Sequence, residues 1–202
     1  MRSSITLLLV LVSAGPYALS SCSPRSAGKA PAAQPSAAPH ASSRSTIEPV
    51  TSDNWRTHPS VKESQRVAEE VTALEKEGKL TLVERPGDES CENYEGDMFR
   101  TIGRDARGRA RKLTLAAGSQ DSSVSVDAYY DSEVRLRFVF VKASAANDTI
   151  YEYQITFGRD GEKTWEQRTL VRGPGHTFPT PWPEEYTPRD PEARFASPTT
   201  CG

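Results

Sequence analysis

The sequence predicts an α+β domain: one amphipathic helix packed on an antiparallel meander of six or seven strands, followed by a proline-rich strap. Three observations carry this expectation. Apolar residues recur at helical spacing in one place, between residues 60 and 77. From Lys79 to Val171 they recur with period two, in runs separated by short turns containing Asp or Gly. After Val171 proline crowds the chain and excludes helix or central strand over residues 173–183.

The helix is expected over residues 60–77. Ser60 and Glu63 fit a capping box, and Gly78 fits the residue that ends a helix in the left-handed region. Val67, Ala68, Val71 and Leu74 share one face, with Glu69, Glu70, Glu75, Lys76 and Glu77 around the others. One apolar stripe of this kind packs on its own sheet.

Strands are expected over 79–84, 98–103, 109–117, 123–130, 135–142, 150–157 and 163–171. Leu113 and Leu115 share a face, as do Val124, Val126, Ala128 and Tyr130, and Tyr151, Tyr153, Ile155 and Phe157. The connections are too short for crossovers, so neighbours in sequence should pair antiparallel.

Three hairpins share a pattern of aspartate in the turn and a basic strand start. They are Arg104-Asp105-Ala106-Arg107-Gly108-Arg109, Tyr130-Asp131-Ser132-Glu133-Val134-Arg135 and Arg159-Asp160-Gly161-Glu162-Lys163. Tyr129-Tyr130-Asp131 followed by Arg135-Leu136-Arg137-Phe138 resembles the YD-type hairpins of Rhs-like repeats of bacterial surface proteins. The resemblance covers residues 98–171 and implies a regular run of hairpins. It departs from the pattern at Val134, where glycine is expected.

Residues 173–202 read as an extended strap. Phe178, Trp182, Tyr186 and Phe195 need a surface to cover, and the sheet supplies one.

The N-terminus sets the address. Met1-Arg2 and the apolar run Ile5–Val12 describe a secretory signal over residues 1–21, too short to span a membrane at about 20 residues. Leu19-Ser20-Ser21-Cys22 resembles the lipobox of bacterial lipoproteins. That resemblance implies cleavage before Cys22, acylation of its sulfur (palmitate among the chains) and retention at a membrane in the cell envelope. Ser23 in the following position implies the outer membrane rather than the inner one in a Gram-negative cell. Residues 22–53 are rich in Ala, Pro and Ser and form a disordered linker, leaving 54–202 as a single globular domain. As a coil such a linker spans roughly 30 Å.

Composition excludes some classes. The chain has 202 residues and a formal net charge of −2, which gives no general attraction to nucleic acid. If Cys22 carries lipid, Cys91 and Cys201 remain as a pair in an oxidising compartment, and a disulfide between them is expected. The closed loop contributes about 4–5 kcal/mol in the chain-entropy account. No clustered His and Cys suggest zinc, so no metal and no cofactor are expected. The acidic residues around Cys91 lack the EF-hand spacing.

His176 is the one histidine that a nucleophile could use, but no Gly-x-Ser-x-Gly elbow accompanies it. No catalytic residue is therefore assigned. Arg100, Arg109 and Arg111 belong to a basic run whose alternate members should share a face, a candidate surface for a partner. These features together point to a membrane-anchored, non-catalytic module that binds an envelope protein or cell-wall component. The rivals are an enzyme of envelope polymers and an inhibitor or immunity-type module.

Overall fold

The computed structural model describes residues 48–87 and 97–197. The signal, the lipobox with Cys22, most of the linker, and the two cysteines Cys91 and Cys201 lie outside the described residues. The described chain already makes contacts within the domain from Glu48, ahead of the expected linker boundary at 53. The cause is local. The Asn54 side chain binds the Thr51 amide and the Pro49 carbonyl, and His58 reaches back to the Glu48 carbonyl at 2.8 Å. Trp55 then stacks on Trp165 with ring centroids 6.2 Å apart.

Helix α1 runs from Pro59 to Lys76. Its cap is His58 rather than the expected Ser60: the His58 Nδ1 accepts the Ser60 amide at 3.2 Å. Pro59 takes the first helical position, where its missing N–H costs nothing. The Ser60 carbonyl is then free to accept the Ser64 hydroxyl, which is buried. Gly78 follows with φ +68°, as its position past the helix end requires. Val61, Val67 and Val71 are buried, each contributing about 1.5–3 kcal/mol. Leu74 and Tyr129 pack against the cluster that Val67 and Val71 form with Leu80.

The seven strands are β1 (Thr81–Pro86), β2 (Asp97–Arg104), β3 (Ala110–Gly118), β4 (Ser122–Tyr130), β5 (Leu136–Ala145), β6 (Ile150–Phe157) and β7 (Lys163–Arg172). They form one antiparallel sheet in sequence order, the expected meander. Register places the core in rows. Ile102, Leu113, Ala128, Val139 and Ile155 stand side by side, and Leu115, Val126, Val141 and Tyr153 form the next row. All of these are buried on the face away from α1. The domain is thus α+β, with helix on one face of the sheet and the C-terminal segment on the other.

That segment is sewn to the sheet by polar side chains. Thr149 Oγ1 accepts the Gly175 amide at 3.1 Å, and Tyr153 donates to the Pro179 carbonyl at 2.9 Å. Glu166 accepts the Trp182 amide at 2.8 Å, and Tyr130 donates to the Pro188 carbonyl. Phe178 and Trp182 are buried against the core as expected. Gly173 has φ +89°, and a Cβ there would lie 2.6 Å from the Thr149 Cα, so no side chain fits at this crossing.

The strap is not extended throughout. A short 3₁₀ turn spans Glu184–Tyr186, and helix α2 spans Pro191–Ala196. Proline starts α2 instead of preventing it. Pro191 occupies the first turn, and the Asp190 carboxylate accepts the amides of Glu192 and Ala193.

Candidate functional site

The expected basic face does not form. Arg100 and Arg111 are 3% and 5% exposed. Arg100 reaches across the sheet and donates to the carbonyls of Arg194, Phe195 and Ser197, beside Arg85, which donates to Phe195 and Ala196. Two cations thus meet the last carbonyls of α2, where unpaired acceptors collect. Arg109 bends back into its own turn and binds Asp105 through Nε and Nη2 at 2.9 and 2.7 Å. Arg111 donates to the Tyr130 carbonyl at 3.1 Å and to Glu70 on α1 at 2.8 Å. A β-bulge between Gly103 and Arg104 shifts the register of β2 against β3 beside Arg111, while Arg100 keeps its place opposite Leu115 and is covered by the C-terminal segment. These three arginines hold the fold together; they do not form a shared outward surface.

The same device recurs one hairpin later. Asp131 accepts the amides of Glu133 and Arg135 and the Arg135 guanidinium, as Asp105 does for Arg107 and Arg109. Arg137, 3% exposed, donates to the Phe157 carbonyl and pairs with Glu63 at 3.6 Å. The third turn differs. Its closing hydrogen bonds start from Gly158, so Gly158 and not Asp160 occupies the aspartate position. Asp160 instead accepts the Glu162 amide. Two turns of the three therefore share the full pattern.

The described surface contains an apolar recess, partly open to solvent, between the sheet and the strap. Its floor is Leu115 and Ala117 from β3 and Val124 and Val126 from β4. Its roof is Phe178, Pro179 and Trp182 from the strap, and Tyr186 and Arg194 line it as well. The cavity holds about 240 Å³. Ala117 pairs with Val124 across the strands, and these small side chains leave the space that larger ones fill in the neighbouring rows. The roof is rigidly placed, because the Pro179 carbonyl and the Trp182 amide are both tied to the sheet. Trp182 contacts Tyr153 and Tyr186 with centroids 5.3 and 6.0 Å apart. Sequence reasoning placed the aromatics on the sheet but did not find the recess, because its floor depends on which pair in each row is small.

A groove of about 580 Å³ lies on the other face, between α1 and the rings of Phe138 and Phe140. Charged and amide side chains, Gln65, Glu69, Lys76 and Gln154, line much of it.

His176 lies in the strap and packs on Phe178 at 4.8 Å. The Asp121 carboxyl near it sits below its ordinary value, held there first by the Ser119 hydroxyl and more weakly by His176. Among the described residues no group of three His, Cys, Asp or Glu is arranged to hold a metal ion. Among the described residues no helix is long and apolar enough to cross a membrane.

No family model, no curated protein and no solved structure matches this chain.

Proposed function

We propose that this chain is a lipid-anchored, non-catalytic binding module of the cell envelope, which takes an apolar group of its ligand into the recess beneath the strap. The recess carries the reading. Binding sites are concave, mostly apolar and built before the ligand arrives. Here five strap-to-sheet hydrogen bonds preset the roof over an aliphatic floor. A preset site loses less entropy on binding than one that must be assembled. The anchor follows from the lipobox at Cys22, and the linker lets the domain stand clear of the bilayer.

The arginines lead away from the original candidate surface. Exchanging Arg111 for glutamate would break a buried contact and test folding rather than binding. A cleaner test places a photo-crosslinking residue at Tyr186, 51% exposed at the rim of the recess, or, as a control, at Leu82, which is 49% exposed on β1. The full chain in its native envelope should give a discrete adduct from position 186 and none from position 82. Equal labelling at both positions, or none at either, contradicts a ligand in the recess.

A further inference from the structure

We infer that the recess beneath the strap selects a small aromatic molecule of one or two fused rings. This rests on the reading of the recess as the binding site and names the chemistry it takes.

Size comes first. An apolar cavity of about 150 Å³ in a protein core stays dry and admits benzene. The recess here is about 240 Å³, which leaves room for a second fused ring and for little more within its walls. Wall chemistry comes second. The floor is aliphatic, but the strap contributes Phe178, Trp182 and Tyr186. Aromatic rings attract one another edge-to-face or offset, by about 0.5–1.5 kcal/mol beyond the area they bury. An aliphatic ligand of equal size gains nothing from that geometry. Aromatic walls favour a ring over a saturated chain; the aliphatic floor alone would accept either.

The test compares benzene and indole with cyclohexane, each added alone to the full mature chain. Binding is followed by calorimetry and by the shift in thermal midpoint. Benzene and indole should bind about two- to tenfold tighter than cyclohexane, the range expected from ring pairing. Tyr186 is 51% exposed, so Tyr186→Leu leaves the core intact and should cut that preference. Val124→Phe, or the milder Ala117→Leu if the first fails to fold, should abolish binding of all three probes.

Cyclohexane binding as tightly as benzene, with both lost in the filled variant, would overturn the aromatic inference and leave the recess as a binding site. Failure of every probe to bind the folded wild-type chain would overturn both.

Discussion

Arg137 occupies in the β4–β5 hairpin the place that Arg111 occupies in the β2–β3 hairpin. Each is buried, each donates through Nε to the carbonyl that ends a neighbouring strand, and each pairs with a glutamate of α1. Those glutamates are Glu70 and Glu63, seven residues apart. Seven residues of helix advance about 10.5 Å. Two strand spacings amount to about 9.6 Å. The helix period and the hairpin period therefore match, and a helix laid across the strands meets the same arginine twice.

Arg111→Met and Arg137→Met should each destabilise the domain by about 1–3 kcal/mol, because a buried carbonyl loses its donor. Lysine should not rescue either, since it cannot reproduce the fork that meets a carbonyl and a carboxylate together. The two sites lie about two strand spacings apart, so the double variant should lose the sum of the single losses to within about 0.5 kcal/mol. Urea unfolding checks this; losses like those of exposed residues would show that the arginines are not structural.

Val134 has φ +62°, where its counterpart Gly108 has φ +76°. A β-branched residue is strained there, by roughly 1–2 kcal/mol. Val134→Gly should therefore raise the unfolding midpoint, and Gly108→Val should lower it. A loss of stability in Val134→Gly would mean that its packing against the core outweighs the strain.

Acid should loosen the turns. Burial alone would raise the Asp131 carboxyl, but the Arg135 and Glu133 amides and the Arg135 guanidinium outweigh it and hold the group below its ordinary 3.8. Asp105 is lowered in the same way by Arg109 and Arg107 against its own burial. Glu63 is lowered by its hydrogen bond from Arg159, against a smaller opposing effect of burial and with help from Arg137. A carboxylate lowered on folding stabilises fully above its unfolded value and loses that contribution as pH falls through the folded one. Stability should therefore hold above about pH 5 and decline below pH 4. Asp131→Asn should be less stable at pH 7 and show a shallower acid decline. An unchanged slope in denaturation midpoint against pH would contradict the assignment.

Much of the architecture is written in local patterns. Period two marked all seven strands, because the pleat alternates, although only the inner strands bury one face and the edge strands β1 and β7 bury neither. Helix α1 was legible from Val67, Val71 and Leu74, and its end from Gly78. The misses came from features that period alone cannot show. The bulge beside Arg111 moved that residue from an expected surface to the interior. The Asp190-Pro191 pair starts a helix, although the prolines around it had suggested extended chain. The third turn begins at Gly158, which no aspartate spacing reveals. The recess was hidden because it arises from the small pair Ala117 and Val124 lying under a strap that arrives some 60 residues later in the chain.

The cysteine pair gives a further expectation. Non-reducing peptide mapping of the mature chain should recover the peptides of Cys91 and Cys201 joined. Free thiols at both would remove the proposed staple.

The anchored binding module is tested most directly by the mass of the mature amino-terminal peptide, taken from protein isolated from its own envelope. The account predicts a chain that begins at Cys22 and carries acyl mass on that residue. An unmodified amino terminus, whether at Cys22 or elsewhere, on protein recovered free in solution would contradict it.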